Sequence, residues 1–247
     1  MVRGPVWIVV PTYNEAENVE RMIHAILDVC GRAHIDGSVL IVDDGSPDGT
    51  GALAEAIATN NSHVHVLHRT AKEGIGPAYR AGFRYALDQG AERIVEMDCD
   101  FSHNPEALPA LIAGTENADL ALGSRYVTGG GTRNWGRARK IISRSGCIYA
   151  KVILRLPLND LTGGFKCFRR VVLETIPLDA VAAAGYGFQI EMTYRAVRLG
   201  FRVVEVPIIF TERTYGVSKM SRGIVWEAAT LVPRLRRRVG RQSHTPR

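Results

Sequence analysis

Apolar positions along the first half of the chain follow two rhythms that alternate. Val6–Val10, Val39–Val42, Val64–Leu67, Ile94–Met97 and Leu120–Leu122 are short, nearly continuous apolar runs, which predicts five buried strands. Between them the apolar residues spread to helical spacing. Val19, Met22, Ile23, Ile26 and Leu27 share one helical face, and Asn14 with Glu17 three residues later predicts a capping box at the start of that helix. A second helix is expected over about 50–59, with Leu53 and Ile57 inward, and a third over about 77–89, with Pro77 in its first turn. Strands alternating with helices of this length imply right-handed βαβ units around a mostly parallel sheet, an α/β fold. Ligands of such sheets bind beyond the carboxyl ends of the strands, so residues 11–15, 43–50, 69–76, 98–103 and 123–126 are where chemistry is sought.

The second half has a different pattern. Ile141, Ser145, Ile148, Tyr149, Val152 and Ile153 mark an amphipathic helix; Gly185–Leu199 reads as another, and Phe201–Phe210 as one or two strands. Ser221–Leu235 predicts a final amphipathic helix with Ile224, Val225, Ala228, Leu231, Val232 and Leu235 on one face. Repeats and low-complexity linkers are absent. The expected division is one globular domain over 1–232 and a basic tail over 233–247.

At 247 residues and 46% apolar composition, the chain can bury one ample core. No apolar run approaches the ~20 residues of a membrane-spanning helix, and the first apolar stretch stops at Pro11, unlike a secretory signal. Cys30, Cys99, Cys147 and Cys167 form no C-x-x-C pair, so free thiols in a reducing compartment are expected. The net charge of +6 sits at one end: residues 232–247 hold six arginines and no acid, and setting these aside leaves basic and acidic residues equal at 25 each. A neutral body with a basic end argues against a dedicated nucleic-acid binder. The end itself suits an anionic lipid surface or a solvated tail.

The strand-end segments carry the candidate chemistry. Pro11-Thr12-Tyr13-Asn14-Glu15 puts an aromatic and an acid at a strand mouth. Asp43-Asp44-Gly45-Ser46-Pro47-Asp48 crowds three carboxylates, one of which can accept hydrogen bonds from a base or ribose; a solvated turn is the alternative. Arg69 to Gly76 combines two cations with glycines, yet its glycine pattern follows the third strand and is incomplete, which argues against a dinucleotide oxidoreductase. Asp98-Cys99-Asp100 is the sharpest signal: alternate carboxylates leaving a strand converge on one hard divalent cation, Mg²⁺ or Mn²⁺, with phosphate oxygens of a substrate completing its shell. Ser102 and His103 stand close enough to contribute. Arg125, Arg133, Arg137, Arg139, Lys140 and Arg144 can hold anionic oxygens, or form a solvated basic face. Asp160 to Lys166 contains a paired-glycine turn, and Arg213 to Lys219 is a second cationic segment.

Taken together, P-T-Y-N-E at 11–15, D-D-G-S-P-D-G-T at 43–50, G-I-G-P-A-Y at 74–79, D-C-D-F-S-H-N-P at 98–105, G-S-R-Y at 123–126, R-K-I-I-S-R at 139–144, T-G-G-F-K at 162–166 and R-T-Y-G-V-S-K at 213–219 resemble family 2 glycosyltransferases of the GT-A fold, most of all the polyprenol-phosphate mannose synthases. The resemblance covers about residues 5–225 in order. It implies transfer of mannose from GDP-mannose to a polyprenyl phosphate, with inversion. It places Pro11, Tyr13, Glu15, Val42 and Asp44 around guanosine, and Asp98, Cys99, Asp100 and Ser102 around the metal and diphosphate. Arg125, Arg139 and Ser143 would face the acceptor phosphate or the transferring sugar, and Arg213 and Lys219 would close over the diphosphate. In some relatives an amide side chain stands where Ser102 is. Some relatives also carry C-terminal transmembrane helices, whereas this chain resembles the soluble catalytic subunits. That implies a cytoplasmic enzyme, peripheral on the cytoplasmic face of a membrane, with a separate membrane-anchoring protein as a possible partner. The readings to be set against this one are a glucosyl- or N-acetylglucosaminyltransferase using a UDP-sugar, and a non-catalytic nucleotide- or lipid-binding scaffold.

Overall fold

A computed structural model describes residues 4–183, 185, 187–212 and 230–239. The five expected strands are present as β1 (Val6–Thr12), β2 (Gly37–Asp43), β3 (Val64–His68), β4 (Arg93–Glu96) and β5 (Leu120–Ser124). Helices α1 (Val19–Arg32), α2 (Thr50–Ala58), α3 (Ile75–Asp88) and α4 (Leu108–Ala113) connect them. Beyond β5 come β6 (Gly131–Arg133), α5 (Arg137–Leu154), β7 (Lys166–Arg169), α6 (Arg170–Thr175), α7 (Gly187–Arg198), β8 (Val203–Pro207) and β9 (Ile209–Thr211).

The main sheet has the order β3-β2-β1-β4-β7-β5-β8. It is parallel except for β7, which is inserted antiparallel between β4 and β5, pairing Glu96 with Lys166 and Leu122 with the same Lys166. Two apolar layers cover its faces. One gathers Val9, Leu40, Tyr79, Phe83, Phe168 and Phe188; the other gathers Ile8, Ile23, Ile26, Ile41, Val95 and Phe165. Alternate strand residues go to opposite layers, as the pleat requires. A small parallel pair, β6 with β9, stands beside the mouth of the main sheet.

Three expectations need correction. Asn14 does not cap α1: it lies in the left-handed region at φ 56°, and Asn18 occupies the N-cap position. The backbone N–H groups of Asn14, Glu15 and Ala16 instead donate to Ser46 Oγ, Thr50 Oγ1 and Asp48 Oδ2, fastening the first strand mouth to the second.

The apolar stripe that marks α5 as an amphipathic helix points mostly outward rather than into the core. Ile141, Ile148 and Val152 are 66%, 53% and 65% exposed, while Cys147, Ala150 and Leu154 are the buried residues of that helix. The third correction concerns the boundary at 232/233. Residues 230–239 form one helical stretch, and Val232, Leu235 and Val239 are buried in the first apolar layer, so the globular unit continues through it. Ile224, Val225 and Ala228 lie outside the described residues.

Candidate active site

The carboxyl ends of β1, β2 and β4 meet at one edge of the sheet. Thr12 is paired with Asp43 in the ladder. Asp43 has an internal role: its carboxylate accepts from Ser46 Oγ at 2.5 Å and from Ser46 N at 3.1 Å, closing the turn after β2. Asp48 does the same for Thr50, accepting from its N–H at 3.1 Å and its hydroxyl at 2.5 Å. Burial works against the Asp48 carboxylate, but these donors and the Ala16 N–H bring its pKa below the usual carboxylate range. The third acid of this segment, Asp44, pairs instead with a cation from the end of β3. It is buried and binds Arg69 Nη1 at 2.6 Å, and desolvation raises its pKa against the pull of that guanidinium. Arg69 also pairs with Glu73. Next to them the Lys72 ammonium lies 4.0 Å from the centroid of the half-buried Tyr13 ring. Val42 is fully buried and Cys99 is 3% exposed; both side chains belong to the apolar layers, so any contact they make with a ligand is through backbone. Burial pushes the Cys99 thiol well above its ordinary pKa, so it is inert as a nucleophile. Pro11 and Glu15 are half-buried at the same mouth.

Asp98 and Asp100 follow β4. Asp100 is 5% exposed and accepts the Ser102 N–H at 2.9 Å; the Asp98 side chain is 32% exposed and accepts from the Tyr79 hydroxyl at 3.4 Å. Ser102 is buried beside them, and its carbonyl accepts the N–H of Thr211 from β9 at 3.0 Å. Among the described residues no three His, Cys, Asp or Glu side chains form a ready-made cage. Two carboxylates and a hydroxyl are a fitting partial set for Mg²⁺ or Mn²⁺, which keep positions for water and substrate phosphate. The paired-glycine turn expected at Asp160–Lys166 runs alongside. A Cβ at Gly164 would lie 3.8 Å from both Asp98 carboxylate oxygens and 3.2 Å from Gln189 Nε2. Beneath it Lys166 donates to Glu96 at 2.7 Å and also to Gln189, all three buried.

The arginines divide. Arg125 is 7% exposed and bound bidentately by Asp160, from Nε and Nη2, both at 2.7 Å, with Thr162 Oγ1 at 2.8 Å from Nη2. Desolvation opposes its charge, but Asp160 outweighs it and holds the guanidinium firmly cationic; the same pairing depresses the pKa of Asp160 despite its burial. Glu205 of β8 completes the network, accepting from Ser124 Oγ at 2.7 Å and from Asp160 N at 2.9 Å. Arg139 stacks on Trp135 at 4.3 Å and pairs with Glu212. Its Nε and the Trp135 indole nitrogen are buried without hydrogen-bond partners among the described residues. Ser143 Oγ accepts from the Tyr126 hydroxyl at 2.8 Å. Arg139, Ser143, Cys147, Ala150 and Leu154 recur every three or four residues and so make the inward stripe of α5. Arg213 and Lys219 lie outside the described residues.

Glu205, Glu212 and Trp135 carry no signal in the local sequence. Each takes its place through contacts distant in the chain, Glu205 with Ser124, Glu212 with Arg139 and Trp135 with Phe210.

A catalytic domain that combines this sheet with acids at its mouth belongs to a known class. The model of the glycosyl transferase family 2 matches residues 7–176, and the chain belongs to that family. It is 50% identical over 226 residues to the undecaprenyl-phosphate mannosyltransferase of Micrococcus luteus, covering 92% of this chain and 91% of the relative. It is 49% identical over 223 residues to the polyprenol monophosphomannose synthase of Mycolicibacterium smegmatis, covering 90% and 83%. Among solved structures, the Mycobacterium tuberculosis glucosyl-3-phosphoglycerate synthase superposes with a TM-score of 0.65 at 21% identity, covering 96% of this chain and 81% of that one. The same enzyme in complex with Mn²⁺, UDP and glucosyl-3-phosphoglycerate also gives 0.65, at 20% identity, covering 96% and 80%. At that identity the likeness shows the GT-A fold alone.

Proposed function

We propose that the chain transfers mannose from GDP-mannose to the phosphate of a polyprenyl phosphate, giving the β-linked mannosyl lipid, at a membrane surface. The observation that carries this reading is the two-sidedness of α5. Its inner side carries Arg139, paired with Glu212, and Ser143, bonded to Tyr126, while its outer stripe is apolar and exposed. Arg137, Lys140, Arg144 and Lys151 flank that outer stripe, which is the pattern of a helix lying in a lipid interface. Among the described residues no helix is long and apolar enough to cross a membrane. The names of the relatives support a polyprenyl-phosphate acceptor and mannose as the sugar.

Tyr13, Asp44 and the Arg69–Lys72 segment would take the nucleoside. Asp98 and Asp100, with Ser102 beside them, would hold Mg²⁺ or Mn²⁺, which when bound offsets the charge growing on the leaving diphosphate. Arg139 and the Trp135 indole N–H, each with a donor that has no partner among the described residues, would hold the acceptor phosphate. A phosphate monoester has a second pKa near ~6 and is largely a dianion at neutral pH, so no side chain need remove a proton. One of its oxygens attacks the anomeric carbon from the face opposite the diphosphate. The new C1–O bond forms as the old one breaks, and GDP leaves with the electron pair. An α-linked donor thus yields a β-linked product.

Purified protein, Mn²⁺ or Mg²⁺, polyprenyl phosphate and radiolabelled GDP-mannose should give metal-dependent label in the organic phase. Asp100→Ala should lower that transfer by roughly 10²–10³-fold or more. Label from UDP-glucose or UDP-N-acetylglucosamine instead would move the donor specificity. Nucleotide binding without transfer from any donor would favour the scaffold.

A further inference from the structure

His103 follows Asp100 by three residues and is 1% exposed. Its ring stacks on Phe165 with centroids 5.1 Å apart and meets the edge of Phe210 at 5.1 Å, so its orientation is set by packing. Neither ring nitrogen has a hydrogen-bond partner among the described residues. Packing alone does not require an imidazole there, since a phenylalanine would stack equally well without leaving buried polar atoms unsatisfied. Nδ1 is 3.8 Å from Asp98 Oδ2, about 0.6–1.1 Å beyond hydrogen-bond length. Of the two groups the carboxylate is the one with room to turn, being 32% exposed where the imidazole is enclosed.

We propose that His103 is a positioning residue for the cation-holding carboxylate: its Nδ1–H closes on Asp98 Oδ2 when the diphosphate and cation bind, and fixes the rotation of that carboxylate. The inference rests on the reading of Asp98 and Asp100 as the cation holders. Tyr79 already donates to the other oxygen, Oδ1, at 3.4 Å. With a donor on each side the carboxylate plane is set, while each oxygen keeps a lone pair toward the site. Groups that orient a metal-holding carboxylate in this way typically change metal affinity or activity by ~10–100-fold when removed.

The test uses the full chain with GDP as the probe nucleotide. Mn²⁺ affinity is measured by electron paramagnetic resonance for the native chain, His103→Phe and His103→Gln, alongside thermal melts. His103→Phe keeps the aromatic stack and should keep its Tm, yet bind Mn²⁺ about tenfold or more weakly. His103→Gln restores an N–H and should recover part of the loss. Mn²⁺ binding by His103→Phe within twofold of native would overturn the inference while leaving the cation reading intact. Failure of the native chain to bind Mn²⁺ with GDP would overturn both. If His103→Phe does not fold, ¹⁵N-histidine spectra of the native chain decide: Mg²⁺ with GDP should shift a protonated Nδ1 toward stronger hydrogen bonding, and a proton on Nε2 instead overturns the proposal.

Discussion

Helix α5 and the helical residues 230–239 are similarly patterned in sequence and meet opposite ends. Both repeat apolar residues at helical spacing, and both are rich in basic ones. In 230–239 the apolar residues turn inward, with Val232, Leu235 and Val239 at 0%, 3% and 5% exposure and Arg234, Arg236, Arg237 and Arg238 outward. Leu231 packs so tightly that a Cβ at Gly187 would lie 2.0 Å from its Cδ2. In α5 the apolar stripe is outward, and the residues buried against the protein are Cys147, Ala150 and Leu154. Periodicity identifies an apolar stripe but not its partner. On α5 the inner face serves Arg125, Asp160 and Glu212, so the apolar residues are left to meet something else. On the proposed reading, apolar contact with a lipid surface falls to α5, and the last helix offers its cationic face.

The largest contrast should come from placing the same acid on each helix. Leu235→Asp buries an unpaired carboxylate in the core and should cost about 4 kcal/mol or more, lowering Tm by ~10 °C. Ile148→Asp, already exposed, should leave Tm within a degree or two and weaken vesicle binding instead. Equal melting losses for the two would erase the distinction.

Next is the pair that anchors α5's inner side. Asp160→Asn leaves Arg125 buried without its counter-charge and should cost about 3–5 kcal/mol in urea unfolding. The pH dependence has a defined sign. The folded pKa of Asp160 lies below its unfolded value, near ~3.9. Its contribution is therefore fully present above that value and is lost as pH falls through the folded one. Urea midpoints followed from pH 5 down to pH 2 should show this slope in the native chain, and less of it in Asp160→Asn.

A smaller effect on folding but a clear one on lipid is expected from Ile141→Ser, Ile148→Ser and Val152→Ser combined. Stability should shift by no more than ~0.5 kcal/mol, because these side chains touch little. Partition onto vesicles should fall by roughly 10²-fold, the apolar area being what the lipid covers. Sedimentation with vesicles checks both halves. The smallest effect should follow from Arg236→Gln, Arg237→Gln and Arg238→Gln. Each charge contributes about 1 kcal/mol near an anionic surface, an effect that salt removes and neutral vesicles do not show.

β1, β2 and β5 were legible because they are buried along nearly their whole length and so read as apolar runs; β3, at the sheet edge, is apolar only in part. β7 was not: it opens on Lys166 and closes on Arg169, and its lysine is tolerated in the core only because Glu96 and Gln189 receive it. The acids after β2 and β4 were visible as a cluster. Their division of labour was not, since Asp43 and Asp48 close turns while Asp44 meets Arg69 from another strand end. Arg125 stood out by its position after β5, but its partner Asp160 is hidden in a turn whose glycines were the louder signal. His103 was noticed only as a neighbour of Asp98; that it is enclosed by Phe165 and Phe210 depends on β7 and β9.

The antiparallel insertion of β7 also bears on how the protein is made. Until residue 169 has emerged from the ribosome, β4 has a bare edge, and β5 cannot take that place because β7 belongs between them. At translation speeds of ~5–20 residues per second, the roughly seventy residues from β4 to the end of β7 take about 4–15 s. During that interval the nascent first half presents the unpaired edge of β4, a template for wrong pairing. The strand that carries Lys166 beneath the active site is therefore also the one that closes the sheet, and a pause in synthesis before it would leave the half-made domain at its most aggregation-prone.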